Sequence, residues 1–377
     1  DIAEGIASGG NAAIPFVKQS RALLADEIKR YWHQGATSQD VVDSALMLLI
    51  KPRLAALNDL LLRCRSAAVA IMDTHIDTPM VGRTLMQQAL PITFGVKVAH
   101  WAIGLEQARR RLSAVELPVQ FGGAVGVHSG WDNLGLEWMD ALAERLGLAV
   151  PVLPWHTDRY PIHALGTALD AVAGAAEKIA LDVSLLTQTE VGEVAEPSAP
   201  GMGESSSMPH KRNPVRSALI RGAARQVHGH TSVLINAAAQ PLERGLGEWH
   251  AEWAPLMESA LLVEGALEQV AVLLEGLEVY PDNMWRNLAA TGGGIMAEPV
   301  ARLLAPTLGV EKAKAVSAEA AETSRREARP YSEVLAEHSD VKGTVDPDAL
   351  SNACDPALYL GSSAAQVTRA KKWLAAQ

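Results

Sequence analysis

The spacing of apolar residues constrains the fold of this chain more than any other feature of the sequence. Between Leu165 and Leu186 apolar residues recur at alternating intervals of four and three positions, and the stretch from Leu256 to Leu277 repeats this spacing. The pattern is typical of a helix that packs nearly parallel to its neighbours, as in helix bundles. We therefore predict two long core helices in these stretches.

Two further long helices are predicted. One is expected to begin at Ser38 and to run toward Asp73, because Thr37 or Ser38 can cap its first turn and Asp40 favours its positive end. Pro52 falls inside this pattern, where a proline can kink a helix. The other helix is expected from about residue 214 to residue 239.

Strand signals are sparse. Aromatic residues make up only 5% of the chain, and segments with alternating apolar and polar residues are rare. The stretch 118–130 is the one place where a short hairpin is expected. The sequence therefore predicts an all-α fold with bundle packing.

Charge and cysteine content narrow the classes of function. The chain has 33 basic and 43 acidic residues, a net charge of −10, which argues against broad binding to nucleic acids or anionic membranes. No apolar run reaches the ~18 residues of a membrane span. Cys64 and Cys354 have no pairing motif, which excludes a disulfide scaffold and a cysteine zinc cluster. These features fit a reducing cytoplasm, where we expect the protein to act.

The stretch 193–214 is the most irregular part of the chain. It combines prolines, glycines and three consecutive serines between two long helical patterns, which indicates a loop. Loops of this length between rigid helices are often functional. Lys211, Arg212 and Asn213 can bind carboxylate oxygens. On composition alone, a solvated linker with a basic surface pair is the ordinary alternative.

Three blocks of the sequence carry a family resemblance. Residues 205–214, SSSMPHKRNP, resemble the S-S-x-M-P-x-K-x-N-P signature of the fumarase/aspartase superfamily. Residues 33–40, HQGATSQD, resemble its H-x-G-x-T-S-x-D block, and residues 82–95 resemble a third block. Within the superfamily, residues 242–253, LERGLGEWHAEW, are similar to bacterial 3-carboxy-cis,cis-muconate cycloisomerases, and residues 10–15 fit the same subfamily.

The resemblance implies three domains and a shared active site. It implies a short N-terminal helical domain at 1–36, a central helix bundle at 37–306 and a C-terminal helical domain at 307–377. Because the family has more residues before the 33–40 block, we expect the start of the first domain to be missing from this chain. The family forms homotetramers in which blocks from three subunits build each active site, and we expect the same here.

The implied reaction is a lactonization. A carboxylate of 3-carboxy-cis,cis-muconate adds to a double bond of the same molecule and gives 4-carboxymuconolactone, a step of protocatechuate degradation. The carbanion delocalises into a carboxylate, so the site needs preorganised cations and donors. The resemblance assigns proton transfer to Ser205 and charge stabilisation to Lys211 and Asn213. We expect no cofactor and no metal, because the nucleophile is already in the substrate.

The substrate carboxylates are expected to bind to polar side chains of these blocks, and the resemblance implies this for the 33–40 block. The predicted residues are His33, Thr37, Ser38, Arg83, Gln87, Gln88, Ser206 and Arg244. Ordinary alternatives stay open for several of them: helix caps for Thr37 and Ser38, and the polar side of a helix for Gln87 and Gln88. A core or surface histidine is the alternative for His33. For Arg244 the alternative is a salt bridge with Glu243 or Glu248.

One departure from the family pattern narrows the reaction. Many lyases of the superfamily have a histidine where this chain has Leu85, and leucine cannot transfer a proton. This disfavours adenylosuccinate and argininosuccinate lyases and agrees with the cycloisomerase branch. A cycloisomerase for a substituted muconate such as 3-sulfomuconate stays open, as does an adenylosuccinate-lyase-like C–N lyase. A non-catalytic homologue is disfavoured because Ser205, Lys211 and Asn213 are all present. A proton-handling pair of His250 and Glu252 also stays open.

Overall fold

Helices dominate the structure, a computed structural model that describes residues 2–198, 203, 208 and 210–377. The prediction of an all-α fold is confirmed, with only short strands between the helices. In chain order, the elements are α1 (Ile2–Gly9), α2 (Ala13–Ala22), α3 (Asp26–Lys29), α4 (Ser38–Thr74), β1 (Pro79–Thr84), β2 (Gln87–Thr93), α5 (Phe94–Ser113), α6 (Gly135–Leu146), α7 (Tyr160–Leu186), β3 (Val194–Ala195), α8 (Val215–Ala237), α9 (Glu248–Ala251), α10 (Trp253–Glu275), β4 (Glu278–Val279), α11 (Pro281–Ala289), α12 (Ala297–Leu308), α13 (Val310–Glu327), α14 (Tyr331–Glu337), α15 (Pro347–Cys354) and α16 (Ser363–Ala375).

The four predicted long helices are present. Helix α4 begins at Ser38 and continues through Pro52, and α8 begins within one residue of the predicted start. Every apolar position of the repeat in α7 is buried, as are the repeat positions of α10 up to Leu274. The last repeat position, Leu277, follows the end of α10. The apolar repeat therefore identified the buried face of both helices.

The predicted hairpin at 118–130 is wrong. Pro118 forms a single parallel bridge with Ala149, and the glycine-rich residues after it form a turn. Buried N–H groups of this turn bind a side chain of α4 instead of a partner strand. The hairpin lies at β1 and β2, which pair antiparallel and are joined by the two-residue turn Leu85–Met86.

The chain divides into two compact units, each built from three stretches. One unit comprises Asp1–Leu62, Gln107–Glu177 and Leu219–Glu268. The other comprises Arg63–Glu106, Lys178–Ala218 and Gln269–Gln377. Below they are called the first and the second unit. None of the described helices is long and apolar enough to cross a membrane.

A buried ionic cluster lies in the first unit. The Arg159 guanidinium donates to the carboxylates of Asp43 and Glu252, each at 2.7 Å, and lies over the Trp155 ring. The Trp249 indole N–H also donates to Asp43. Burial alone would lower the pKa of Arg159, but the two carboxylates raise it. The cluster fixes α4 against the segments that precede α7 and α10.

The core of the second unit includes an apolar cluster contributed by α12 to α15. Val300, Leu304, Val316, Leu335 and Tyr331 are buried in it. Burial raises the pKa of Tyr331 to about 12, and its hydroxyl lies 2.6 Å from that of Ser317. A phenol in this environment is a structural group.

Candidate active site

The start of α4 is built around a buried carboxylate in the first unit. Asp40 is 3% exposed and accepts hydrogen bonds from the backbone N–H groups of Thr37, Gly122 and Gly123, at 2.9 to 3.0 Å. Its fourth contact is the His156 ring, whose Nε2 lies 2.7 Å away. Asp40 therefore holds together the helix start, the glycine turn and the segment before α7.

The hydroxyls of Thr37 and Ser38 are free of protein partners within the described ranges. Both residues are half-buried at the first turn of α4, and the Asp40 carboxylate accepts the backbone N–H of Thr37. The alternative that these two hydroxyls serve only as helix caps is therefore wrong. A helix start with unbonded hydroxyls favours binding of an anion.

Arg244 lies next to this helix start. Its guanidinium donates to Gln39 Oε1 at 2.7 Å, to the Ala124 carbonyl at 2.8 Å and to the Gly123 carbonyl at 3.3 Å. Gln39 is fully buried and follows Ser38 in α4. The structure thus binds Arg244 to the first turn of α4, although the sequence separates the two by about two hundred residues.

The alternative of a salt bridge between Arg244 and Glu243 or Glu248 is not found among the described residues. In the part of the chain that the structure describes, no carboxylate lies within 4.0 Å of the Arg244 guanidinium. The three oxygens that hold it are neutral, so its positive charge is not compensated. An oriented, uncompensated guanidinium is suited to bind a carboxylate of a ligand.

His33 also belongs to the first unit. Its backbone has a φ of 61°, in the left-handed region, and its side chain is half-buried. Together with Asp40 it lines a cavity of about 290 Å³ with mostly apolar walls. The cavity adjoins the start of α4.

In the second unit, Arg83 and Gln88 fasten the hairpin of β1 and β2. They are cross-strand neighbours. Arg83 forms a bidentate ion pair with the buried Glu193, at 2.8 and 2.9 Å. The amide of Asn287 donates to the same carboxylate at 2.8 Å, and Gln88 donates to the Asn287 carbonyl at 3.2 Å. The charge of Arg83 is therefore compensated, unlike that of Arg244.

The hairpin tip is exposed and strained. Leu85 and Met86 both have positive φ, and they are 97% and 68% exposed. Such a turn suits the twist of a hairpin but usually takes glycine or asparagine. Gln87 follows as an exposed residue of β2. The alternative that Gln87 and Gln88 are the polar side of a helix is wrong, because both lie on a strand.

The two ends of the loop at residues 193–214, called the signature loop below, are joined by hydrogen bonds. Glu196 accepts hydrogen bonds from the backbone N–H groups of Arg216 and Ser217 and from the Ser217 hydroxyl, at 2.7 to 2.9 Å. It thereby caps the N-terminus of α8. Arg212 donates to the Glu196 carbonyl at 2.9 Å and pairs with Glu278. The two ends of the loop are therefore fixed to each other.

Two of the predicted catalytic residues, Lys211 and Asn213, lie at the C-terminal end of this loop. Asn213 donates through its backbone N–H and its side-chain amide to the Gly203 carbonyl, at 2.9 and 3.3 Å. The Lys211 side chain is exposed. The predicted proton-transfer residue Ser205 and the predicted substrate-binding residue Ser206 lie outside the described residues.

The proton-handling pair of His250 and Glu252 is not formed. Glu252 is buried and bound to Arg159, whereas His250 is exposed and packs against Trp249 and Trp253, with ring centroids 5.2 and 4.7 Å away. Burial raises the pKa of Glu252, although Arg159 acts in the opposite direction. As for metals, the residues with described positions include no group of three or more histidine, cysteine, aspartate or glutamate side chains placed to hold an ion.

Sequence reasoning missed the residues that position the site. Gln39 and Asp40 were visible inside the 33–40 block, but their burial and bonding were not. Glu193 and Glu196 stand at the start of the loop, where their acidic character gave no sign of a partner. His156 had no local signal at all, because its role depends on contact with Asp40, 116 positions away.

Comparison with known proteins identifies the family. The family model described as lyase matches residues 4–229. The chain is 44% identical over 375 residues to a 3-carboxy-cis,cis-muconate cycloisomerase of Pseudomonas aeruginosa, covering 98% of this chain and 82% of the relative. It is 42% identical over 373 residues to a nitrosuccinate lyase of Streptomyces davaonensis, covering 96% and 79%. The crystal structure of the 3-carboxy-cis,cis-muconate lactonizing enzyme from Pseudomonas putida matches with a TM-score of 0.93 and 39% identity, covering 100% of this chain and 85% of that one. The chain therefore belongs to the lyase family, within the fumarase/aspartase superfamily.

Proposed function

We propose that this protein converts 3-carboxy-cis,cis-muconate to 4-carboxymuconolactone by intramolecular addition of a carboxylate. The observation that carries the proposal is the Arg244 guanidinium, which has no carboxylate partner among the described residues and is bound to Gln39 in the helix turn that begins with the unbonded hydroxyls of Thr37 and Ser38. This arrangement suits a substrate with several carboxylates. The likeness to cycloisomerases over nearly the whole chain supports the choice of reaction.

The proposed chemistry balances without an outside reactant. A carboxylate oxygen of the substrate forms a C–O bond to one carbon of a double bond, and the π electrons move to the neighbouring carbon and into its carboxylate. Ser205 delivers a proton to that carbon, and solvent restores the serine proton. Lys211 and Asn213 stabilise the developing negative charge. No metal or redox cofactor takes part in this route.

The remaining carboxylates are held by donors from the other blocks. The proposal assigns this role to His33, Thr37, Ser38, Arg244, Gln87, Gln88 and Ser206. For Arg83 the bond with Glu193 favours a role in fastening the hairpin. Held in this way, the reacting carboxylate attacks at a high effective concentration.

The proposal includes assembly and location. We propose a homotetramer in the cytoplasm whose active sites combine blocks from three subunits, with domains at 1–36, 37–306 and 307–377. Exposed large apolar residues on α8 and α10 support the assembly, because such residues on long helices commonly pack against partner chains. The wide separation of the three blocks in the sequence also supports it.

An ultraviolet assay tests the reaction directly. Purified protein is mixed with 3-carboxy-cis,cis-muconate without added metal or nucleotide, and loss of the conjugated diene is followed. Rapid loss with a lactone product is the expected result. No loss with a folded tetramer would refute this substrate and direct the same assay to 3-sulfomuconate.

A second candidate is elimination of nitrite from nitrosuccinate. The relative at 42% identity over 373 residues favours it. In this reaction a C–N bond breaks and a proton leaves the neighbouring carbon, so Ser205 would act as a base. Nitrite release measured alongside the diene assay separates the two candidates. Adenylosuccinate serves as a third substrate, for which we expect no turnover because Leu85 replaces the histidine of the related lyases.

A further inference from the structure

We propose that Gln39 is a positioning residue that holds Arg244 in place while leaving its charge free for the substrate. The inference rests on the proposed function in that it assumes a carboxylate ligand at Arg244. It extends that function because the affinity of Arg244 for the carboxylate then depends on Gln39, a neutral side chain that touches no substrate atom. The residue is fully buried in the first turn of α4.

Both ends of the Gln39 amide are bonded, which fixes its direction. Its Nε2 donates to the His156 carbonyl at 2.9 Å, and its Oε1 accepts from Arg244 at 2.7 Å. A reversed amide would turn an NH₂ group toward the guanidinium and an oxygen toward a carbonyl, losing both bonds. The backbone before α7 therefore aims the Gln39 oxygen at Arg244.

The neutrality of this oxygen distinguishes Arg244 from Arg159 and Arg83. Arg159 is bound by two carboxylates and Arg83 by one, so their charges are compensated. Arg244 is bound by an amide oxygen and two backbone carbonyls. Neutral acceptors orient a guanidinium through hydrogen bonds without placing a negative charge against it, which leaves its charge for a ligand.

The charged groups near Gln39 leave this charge available. Asp40 is adjacent, but its carboxylate bonds to three backbone N–H groups and the His156 ring and forms no ion pair with Arg244 among the described residues. Glu243 is exposed and Glu248 half-buried, and within the described chain neither forms an ion pair with Arg244. Replacing Gln39 by the isosteric glutamate would therefore place a negative charge directly against the Arg244 guanidinium.

The test is the substitution Gln39→Glu. It keeps the shape and the oxygen acceptor but adds a negative charge against Arg244. At about pH 8 we expect KM for the carboxylate substrate to rise ~30- to 100-fold, as when a close charge pair is altered, while kcat changes much less. We expect the midpoint of urea unfolding to fall clearly, because the Arg244 contact is kept but a buried carboxylate oxygen then faces the His156 carbonyl without a donor between them.

A matched control separates the added charge from the substitution itself. The introduced carboxyl is ordinarily ionised above about pH 5, and the Arg244 guanidinium favours the ionised form, so the KM penalty of Gln39→Glu should persist between about pH 8 and about pH 5.5. The matched control is Gln34→Glu, which adds the same charge at an exposed position close by in sequence. It should leave KM within a few-fold of the wild-type value at every pH.

A second variant covers the case in which Gln39→Glu does not fold. Gln39→Met removes both hydrogen bonds without adding charge, and should raise KM about tenfold or less with no pH dependence of the ratio to wild type. A wild-type KM in the folded Gln39→Glu protein would overturn the proposal. So would a wild-type KM in Gln39→Met where the first variant fails to fold.

A binding measurement keeps this inference separate from the proposed reaction. Propane-1,2,3-tricarboxylate is titrated into the assembled protein while tryptophan fluorescence is recorded. Weaker binding to Gln39→Glu than to Gln34→Glu supports the inference even if the protein proves inactive on muconates. Equal binding to the two variants, or no binding to wild type at millimolar concentration, would overturn it while leaving the diene assay to decide the reaction.

Discussion

At the scale of single residues, the charge state of each buried group follows from its nearest partners. Arg159 shares two carboxylates in a fully buried cluster, which therefore carries one more negative than positive charge when both acids ionise. Burial, with the charge of Asp43, raises the pKa of Glu252. Arg159 stabilises the cluster, because without its positive charge the buried carboxylates of Asp43 and Glu252 would repel each other.

Removing that cation is expected to be far more damaging than removing one acid. Arg159→Met leaves Asp43 and Glu252 buried without a counter-ion, so the free energy of unfolding should fall by about 3–5 kcal/mol. Glu252→Gln keeps the Arg159–Asp43 pair and removes a repulsion, and should cost less than about 2 kcal/mol. Urea unfolding of both variants checks this, and equal losses would contradict it.

Ser205 is expected to be essential for turnover but not for folding. Ser205→Ala removes the proposed proton donor, which should lower kcat by ~10²- to 10⁴-fold, the usual contribution of a positioned acid or base. Ser207→Ala is the matched control from the same run of serines and should stay near wild type. Steady-state kinetics with sedimentation of both variants provide the measurement. Near-normal turnover in Ser205→Ala would assign the proton to another group.

At the scale of elements, a histidine joins two long helices. His228 of α8 lies between two carboxylates of α7, with Nδ1 2.6 Å from Asp170 and Nε2 3.2 Å from Glu177. Only the protonated imidazole can donate from both nitrogens. Burial alone would lower the pKa of His228, but the two carboxylates raise it.

This contact should stabilise the helix pair in a pH-dependent way. Because the pKa is raised in the folded protein, the contribution is fully present below the unfolded value of about 6.5 and is lost as the pH rises through the folded value. The difference in Tm between wild type and His228→Gln should therefore shrink between about pH 6 and about pH 9. Arg225, which also pairs with Glu177 at 3.7 Å, stays charged throughout this range. A Tm difference that grows with pH would contradict the assignment.

At the scale of the whole molecule, the long helices expose apolar residues. Leu261 and Met257 of α10 are 62% and 50% exposed, and Leu219 of α8 is 56% exposed. Continued exposure of large side chains on core helices is unfavourable, which is the physical basis for expecting partner chains.

Disrupting this apolar face should dissociate the proposed tetramer. Leu261→Glu places a charge on α10 where we expect a neighbouring chain, so sedimentation should show smaller species, and turnover should be lost because the site is shared. Glu311→Gln, an exposed change on α13 and away from this face, is the control and should stay tetrameric. A stable, fully active monomer of the wild type would contradict the assembly.

The long helices and the family could be predicted from the sequence because their signals are local. The repeat in α7 and α10 needs only the 3.6-residue period of a helix, and the buried residues follow it. The start of α4 at Ser38 was predicted correctly, although the Asp40 carboxylate accepts the Thr37 N–H and the hydroxyls expected to cap the helix are unbonded. The hairpin was predicted in the wrong place because leucine and methionine, the turn residues at 85 and 86, do not usually mark a tight turn. Glycines do, and the glycines near residue 122 therefore suggested a hairpin there.

By itself, the sequence determined the all-α class, the long helices, the family and the residue types available for carboxylate chemistry. Only the tertiary structure decided which arginine side chains are paired with a carboxylate of the protein. Arg83, Arg159 and Arg244 are indistinguishable as residue types, yet one faces Glu193, one faces two acids and one faces Gln39. The reason is that the charge left for a ligand depends on distances of a few ångströms between segments far apart in the chain, and a local pattern carries no record of them.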